Sequence, residues 1–280
     1  METFAEKLDR ITNKKRSFLC VGLDPDPKRM PISDLLEFNK SIVDSTIDLV
    51  AAYKPNLAFY EALGLKGLDE LRRTIDYIRT LSSEVLIIGD GKRGDIGHTS
   101  EAYAKALFSE WQFDAATVNA YAGLDSIDPF LSYKDKGVFI WCRSSNPGAV
   151  ELQDLKIANG EQEKPLYEYM ASHYYRYNLN GNMGLVVGAT YGDEIKIVRT
   201  ACPDVPFLLP GVGAQKGDME EALRSGIDQY GRGLLINSSR SIIYASSGLD
   251  FAEEARIQAL DFNKTIDFNL GLLGKEWSHI

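Results

Sequence analysis

Two aspartates and a lysine follow an apolar run in the segment GDGKRGDIGHTS, residues 89–100. Asp90 and Lys92 are two positions apart, so on a strand their side chains share a face, whereas Arg93 points the other way. Asp95 follows where the strand has given way to RGDIG. Carboxylates beside a lysine favour its charged form, which can donate a proton to a reacting atom. The alternative is a solvated loop whose charges pair loosely, because the spacing D-x-K-x-x-D is weak evidence by itself.

The position of this segment depends on the elements that carry it. Short apolar runs recur along the chain and are mostly continuous, as is typical of strands buried on both faces. Helix-period stretches lie between them, among them residues 67–84 and residues 98–112, the second opening with a Thr/Ser cap. Eight strands separated by helices predict an α/β fold, a (β/α)8 TIM barrel, with a doubly wound open sheet as the alternative. The eight runs are 18–24, 49–57, 85–92, 115–121, 137–143, 184–190, 205–211 and 233–237.

The connection after the fifth run is unusually long and covers residues 144–183. It contains YEYMASHYYRYN, which predicts a tyrosine-rich helix, and we interpret the connection as an insertion over the active-site face. Repeats, low-complexity stretches and linkers do not interrupt the sequence. We therefore expect residues 1–280 to form a single TIM-barrel domain.

Polar residues stand where several of the predicted strands end. In a parallel barrel the chemistry lies at the carboxyl ends of the strands. The first run ends in Asp24, the second carries Lys54, and the third ends in Asp90 and Lys92. The eighth leads to Arg240. The barrel prediction therefore places these side chains on one rim.

Two loops near the end of the chain have the composition of a phosphate site. LLPGVGAQKGD, residues 208–218, has glycines that let backbone N–H groups converge on an anion, and Gln215 adds a donor. NSSRSIIYA places Arg240 where a short helix would begin, so its guanidinium and the first amides can meet one phosphate. The loops after strands seven and eight of barrels often bind phosphate. The alternative is two ordinary βα turns.

Composition narrows the class of protein. The chain has 280 residues and a net charge of −9, which argues against a nucleic-acid-binding surface. Its three cysteines, Cys20, Cys142 and Cys202, are far apart and odd in number, which fits a reduced interior. The charged, amphipathic pattern of the first residues predicts a helix rather than a signal peptide. No apolar run in the sequence reaches the roughly 20 residues of a membrane span. We expect a cytoplasmic protein without membrane or nucleic-acid partners.

These residues together resemble the orotidine 5′-phosphate decarboxylase family, in its longer second class. The resemblance extends from FLCVGLDPD to SSRSIIYAS, nearly the whole chain. Its anchors are GLDPD, YKPN, DGKRGDIGHTS, RSSNPGA, PGVGAQKGD and SSRSI. It implies decarboxylation of orotidine 5′-monophosphate (OMP) to uridine 5′-monophosphate (UMP), the last step of de novo pyrimidine nucleotide synthesis. It implies no cofactor and no metal.

The resemblance also implies roles for individual residues. The charged network is Lys54, Asp90, Lys92 and Asp95. Asp24 and, in part, Lys54 bind ribose hydroxyls, and Gln215 and Arg240 bind the phosphate. Ser145 reads the pyrimidine edge, although the adjacent Ser144 is left open for this role. Asp95 and Thr99 match positions that reach into the neighbouring subunit's site, which implies a homodimer.

A mechanism follows for a substrate that loses carbon dioxide from C6 of its ring. Lys92 would stabilise the developing charge and protonate C6, Asp90 would face the substrate carboxylate, and Lys54 would balance the aspartates. His98 is interpreted as a helix-start residue, and the histidines form no three-ligand metal spacing. One alternative is a related barrel enzyme that acts on sugar phosphates with Mg²⁺, against which Lys54 argues because it would compete with the metal. The other is a nucleotide-binding sensor without activity.

Overall fold

The computed structural model describes residues 2–159, 162–188, 192–211 and 216–277. Gln215, one of the two predicted phosphate ligands, lies outside the described residues. In the described ranges, no helix combines the length and the apolar character that crossing a bilayer requires.

Eight parallel strands in the described part of the chain close into a barrel, which confirms the predicted (β/α)8 fold. Around the barrel the order is β1, β2, β3, β4, β5, β8, β9 and β10, with β10 returning to β1. The barrel strands are β1 (Leu19–Leu23), β2 (Ala52–Pro55), β3 (Leu86–Arg93), β4 (Ala115–Val118), β5 (Gly137–Arg143), β8 (Met183–Val187), β9 (Phe207–Pro210) and β10 (Leu234–Ser238). Two further strands, β6 (Lys156–Asn159) and β7 (Gln162–Pro165), pair antiparallel outside the barrel.

Helices connect the strands. They are α1 (Phe4–Lys15), α2 (Leu35–Thr46), α3 (Leu57–Glu61), α4 (Gly64–Leu81), α5 (Gly97–Lys105), α6 (Asp128–Leu131), α7 (Val150–Gln153), α8 (Leu166–Tyr175), α9 (Gly192–Ala201), α10 (Lys216–Gly226), α11 (Arg240–Ile243) and α12 (Phe251–Leu272). A π-helical turn, Ala106–Glu110, continues α5. The Thr/Ser cap predicted for α5 is wrong, because Gly97 adopts a φ of +53° and the helix begins there.

The barrel interior is filled by apolar side chains, as the continuous apolar runs predict. The interior cluster includes Cys20, Ala52, Leu86, Ile88, Ala115, Phe139, Val186, Leu208 and Leu235. Helix α1 adds Phe4, Leu8 and Ile11 to this cluster. Phe4 packs edge-on against Phe139, and its ring also lies against Gly137 at the start of β5. Helix α1 therefore covers the amino ends of the strands and leaves the carboxyl ends free for a site.

The described residues of the long connection, 144–159 and 162–183, form two parts. Helix α8 packs against β5 and α9, so it occupies the place of a barrel helix between β5 and β8. Helix α7 and the β6–β7 hairpin precede it and are additional to the repeating βα pattern. The hydroxyl of Tyr174 on α8 donates to the carbonyl of Ala120, 2.8 Å away, which ties this helix to the loop after β4.

Candidate active site

The end of β3 has a special backbone. The pairing register between β3 and β4 shifts between Gly89 and Arg93, as at a β-bulge. Within this stretch Lys92 has a φ of +44°, in the left-handed region that a residue with a Cβ rarely occupies. Its N–H donates to Oγ1 of Thr117 on β4, 3.0 Å away. The bulge and this hydrogen bond together decide where the Lys92 side chain points.

Asp90 binds two ammonium groups, one at each carboxylate oxygen. Nζ of Lys54 donates to Oδ2 and Nζ of Lys92 donates to Oδ1, both at 2.7 Å. The hydroxyl of Thr117 also donates to Oδ1, at 2.7 Å. The side chains of Lys54 and Asp90 are each 6% exposed, whereas that of Lys92 is 34% exposed. The structure thus joins three of the four predicted network residues, and Lys92 is the one that faces open space.

These contacts control ionisation. Burial of Asp90 opposes its charge, but the ammonium groups of Lys54 and Lys92 and their hydrogen bonds outweigh burial and lower its pKa below the ordinary value. Burial likewise opposes the charge of Lys54, and the attraction of Asp90 outweighs it, so its pKa is raised. Asp90 is therefore a carboxylate and Lys54 an ammonium at neutral pH.

An aromatic wall stands beside the lysine. Nζ of Lys92 lies 5.8 Å from the ring centroid of Trp141, within range of a cation–π interaction. Trp141 is on β5 and packs on top of the apolar cluster inside the barrel. The ammonium group is thus bounded by a charged side at Asp90 and an aromatic side at Trp141.

The fourth network residue lies apart in this chain. Asp95 is exposed, and its Oδ1 accepts the N–H of Ile96 at 2.8 Å. The hydroxyl of Ser100 donates to the carbonyl of Asp95, also at 2.8 Å, and holds the loop against α5. Thr99 is exposed beside it, and so is His98, in the first turn of α5 as predicted. Asp95 forms no ion pair with Lys54 or Lys92 among the described contacts.

A cleft of about 740 Å³ opens beside the charged cluster, between the ends of β1 and β10. Its lining includes Asp24, Asp26, Arg29, Gly211, Asn237, Ser239, Arg240 and Tyr244. Arg240 is exposed and is the first residue of α11, as the sequence predicts. The guanidinium of Arg29 lies 4.3 Å from the ring centroid of Tyr244, so a second cation borders the cleft.

Two polar atoms in this cleft lack partners. Oδ1 of Asp24 and Oδ1 of Asn237 are buried and accept no hydrogen bond from the described residues. Buried polar atoms are nearly always satisfied, so unsatisfied ones in a cleft indicate a ligand with donors. A Cβ on Gly22 would lie 1.8 Å from Oγ and 2.8 Å from Cβ of Ser239. Rotation of the Ser239 side chain cannot relieve the second contact, so glycine lets β1 and the β10 loop approach this closely.

The two candidate serines after β5 have different surroundings. Ser144 is engaged, because its N–H donates to Oε1 of Gln153 and its Oγ accepts from Nε2 of Gln153, both at 2.9 Å. Ser145 is exposed, and its Cβ and Oγ both lie 3.7 Å from the position that a Cβ on Gly211 would take. Ser145 therefore faces the loop after β9 and the cleft, whereas Ser144 faces α7.

Comparison with known proteins agrees with this arrangement. The model of the orotidine 5′-phosphate decarboxylase / HUMPS family matches residues 17–255.

The chain belongs to this family.

Its curated relatives carry the decarboxylase name. One from Dehalococcoides mccartyi, named orotidine 5′-phosphate decarboxylase, is 47% identical over 265 residues, which cover 94% of this chain and 97% of the relative. Another of that name, from Thermomicrobium roseum, is 45% identical over 272 residues and 95% of each chain. The solved structure of OMP decarboxylase from Leishmania donovani superposes with a TM-score of 0.80 at 35% identity, over 94% of this chain and 99% of that one. The family predicted from the sequence is therefore confirmed.

Several residues of the site are not predicted from the sequence. Thr117, Trp141 and Asn237 lie in strands and look like ordinary strand residues in the sequence. Arg29 and Tyr244 lie in or beside turns. Their one common signal is position, since each is at or just after the carboxyl end of a barrel strand or its loop.

Proposed function

We propose that this chain decarboxylates OMP to UMP and that Lys92 supplies the proton that replaces the carboxyl group. The observation that carries the proposal is the cluster of Lys54, Asp90 and Lys92, in which one buried carboxylate holds two ammonium groups. The decarboxylase names of relatives at 44–47% identity support the same reaction.

The cluster supports a charge-based mechanism. When the bond between C6 and the carboxyl carbon breaks, its electron pair stays on C6 and carbon dioxide leaves. An ammonium group next to C6 stabilises that pair as it develops and then transfers a proton to it, which leaves Lys92 neutral until it regains a proton from water. Asp90 remains ionised, so it keeps Lys92 in place and repels the substrate carboxylate in the ground state.

The cleft supports assignments for the rest of the nucleotide. We assign the ribose hydroxyls to Asp24, whose Oδ1 lacks a donor, with help from Lys54. We assign the phosphate to Arg240 and Gln215, and the pyrimidine edge to Ser145 because Ser144 is already bonded to Gln153. Binding energy at the phosphate then holds the ring against Lys92.

We further propose that two chains form a homodimer in which Asp95 and Thr99 reach the partner's site. Their exposure supports this, as does the neighbouring Ile96, an apolar side chain that is 59% exposed. We propose the cytoplasm as the location, because Cys20, Cys142 and Cys202 are buried free thiols, as is usual in a reducing compartment.

The proton-donor assignment is tested by Lys92→Ala. Turnover of OMP, followed as loss of the orotate absorbance, should fall by about 10³-fold or more, because a positioned general acid contributes on that order. Binding of UMP, measured by calorimetry, should remain detectable. Lys66→Ala, at an exposed lysine on α4, is the matched control and should leave turnover unchanged. Substantial turnover by Lys92→Ala would refute the assignment.

The same assay distinguishes the proposed reaction from the alternative of a sugar-phosphate enzyme that uses Mg²⁺. Two ammonium groups on Asp90 oppose a divalent cation at that carboxylate, so a metal chelator should leave turnover of OMP by the wild-type chain unchanged. Loss of activity with the chelator and recovery with Mg²⁺ would favour the alternative. Binding of UMP without any turnover of OMP would favour the sensor.

The phosphate assignment is tested by Arg240→Ala. A charge-assisted hydrogen bond contributes about 1.5–3 kcal/mol, so the KM for OMP should rise about 10- to 100-fold. Arg224→Ala removes an exposed arginine on α10 that pairs with Glu220, and it should leave KM unchanged. An unaltered KM in Arg240→Ala would show that the phosphate binds elsewhere.

A further inference from the structure

The largest side chain that the described part of the chain buries completely is an arginine next to the candidate site. Arg143 ends β5 and is 1% exposed. Its Nε and Nη2 bind the two carboxylate oxygens of Glu194 on α9, at 2.7 and 2.8 Å. Its guanidinium also lies 5.4 Å from the ring centroid of Tyr167 on α8. The charge is thus paired in the bidentate geometry that a buried guanidinium needs.

A glutamine connects this arginine to the serine loop. Oε1 of Gln153, at the end of α7, accepts from Nη1 of Arg143 at 3.2 Å and from the N–H of Ser144 at 2.9 Å. Nε2 of Gln153 donates to Oγ of Ser144 at 2.9 Å. The amide of Gln153 is therefore oriented by partners on both of its atoms, and Ser144 is held at both its backbone and its side chain.

Two glycines pack against the other side of the loop that carries Ser144 and Ser145. A Cβ on Gly188, after β8, would lie 2.8 Å from the backbone nitrogen of Ser145. Gly211, after β9, faces the Ser145 side chain. The loop is thus held by hydrogen bonds on the α7 side and by close packing of Gly188 against the backbone on the other, which fixes the backbone of Ser145.

We propose that Arg143 is a positioning residue which, with Glu194 and Gln153, sets the position of Ser145 toward the pyrimidine. We call these three residues the Arg143 brace. The inference rests on the proposed function, since it takes the pyrimidine as the group that Ser145 reads. It also gives the start of the long connection a role, because α7 supplies Gln153.

Two ligands distinguish positioning from general support of the fold. UMP carries phosphate, ribose and pyrimidine, whereas ribose 5-phosphate lacks the base. In Gln153→Ala, which removes the link and leaves the pair of Arg143 with Glu194 intact, the Kd for UMP should rise about tenfold. The Kd for ribose 5-phosphate should stay within about twofold. Gln153→Glu keeps an acceptor for Arg143 and Ser144 and should recover part of the UMP affinity.

The control lies on the same short helix. Glu151 on α7 is exposed, and Glu151→Ala should bind both ligands as the wild type does. Arg143→Lys keeps the charge and loses the bidentate pair with Glu194, so it should weaken the binding of UMP at least as much as Gln153→Ala does. If Arg143→Lys does not fold, the Gln153 variants still test the proposal. Unchanged UMP affinity in Gln153→Ala, or an equal loss for both ligands, would overturn the proposal.

These binding measurements do not depend on turnover. If the wild-type chain fails to decarboxylate OMP, the proposed reaction is wrong while the comparison of UMP with ribose 5-phosphate still tests the brace. If the wild-type chain turns over OMP and Gln153→Ala binds UMP normally, the brace alone is wrong.

Discussion

The hydroxyl of Thr117 is the neutral group on which the charged cluster depends. It donates to Oδ1 of Asp90 at 2.7 Å and accepts the N–H of Lys92 at 3.0 Å. Lys92 has a φ of +44°, and a left-handed residue with a Cβ costs roughly 1–2 kcal/mol. The Thr117 hydroxyl offsets part of that cost and ties the backbone of Lys92, the proposed proton donor, to the carboxylate that the Lys92 side chain binds.

Thr117→Val is the perturbation that removes both hydrogen bonds with little change in shape. Losing the donor to a charged carboxylate costs about 1.5–3 kcal/mol, and the N–H of Lys92 loses its acceptor as well. If about 1.4–2.8 kcal/mol of this appears in the barrier, kcat for OMP falls about 10- to 100-fold, since each 1.36 kcal/mol is tenfold. KM should change by less than about threefold, because Thr117 does not line the cleft assigned to phosphate and ribose.

The assay is steady-state turnover of OMP, with unfolding by urea measured in parallel. Thr117→Ser keeps the hydroxyl and should retain most of kcat, which separates the hydrogen bonds from the shape of the side chain. A Thr117→Val variant that folds and keeps the wild-type kcat would refute the view that the hydroxyl positions Lys92. A loss shared equally by the serine variant would point to packing instead.

Two further predictions concern stability and the cleft. Burial, followed by repulsion from Asp228, raises the pKa of Asp9 to about 6, so the folded chain binds this proton more tightly than the unfolded chain, where an aspartate titrates near 3.9. Stability therefore falls as pH rises between about 4 and 6. A pKa raised by about two, at about 1.36 kcal/mol per pKa unit, predicts that Asp9→Asn stabilises the chain by about 3 kcal/mol at pH 8 and hardly at pH 4, measured by urea unfolding. An equal effect at both pH values would contradict this. Gly22→Ala would force a Cβ against Ser239 in the cleft, so the Kd of this variant for UMP should rise by about tenfold or more. Gly271→Ala is the control, because Gly271 has open space around it, and it should bind UMP as the wild type does. Normal binding of UMP by Gly22→Ala would show that the close contact between β1 and the β10 loop is not needed.

The sequence was informative where chemistry and periodicity coincide. Continuous apolar runs predict strands buried on both faces, and charges at the ends of such runs predict a rim, which is the basis for proposing Asp24, Lys54, Asp90 and Lys92 as site residues. The register shift at the end of β3 leaves no such signal, because the residue that it bends is a lysine rather than a glycine.

Long-range pairing was the part that the sequence could not reveal. Arg143 stands in RSSNPGA beside the serines, and nothing in that motif shows that its partner is Glu194, 51 positions later. Thr117 is 27 positions from Asp90 and looks like any β-branched strand residue. Such contacts depend on which strands become neighbours in the closed barrel. The local sequence pattern predicts where the strands are, but not which side chains of distant elements meet.

The distribution of charge in the cluster explains why one carboxylate holds two lysines. With Lys92 alone on Asp90, the pair would be neutral and would attract an anion weakly. Lys54, buried against the second oxygen, leaves the three residues with one positive charge in excess. Because the side chain of Lys54 is 6% exposed and that of Lys92 is 34% exposed, most of that excess faces open space at Lys92. On the proposed function, the negative charge of the substrate moves from a carboxylate that Asp90 repels to a ring carbon that Lys92 attracts, and the buried lysine is what keeps Asp90 ionised throughout that transfer.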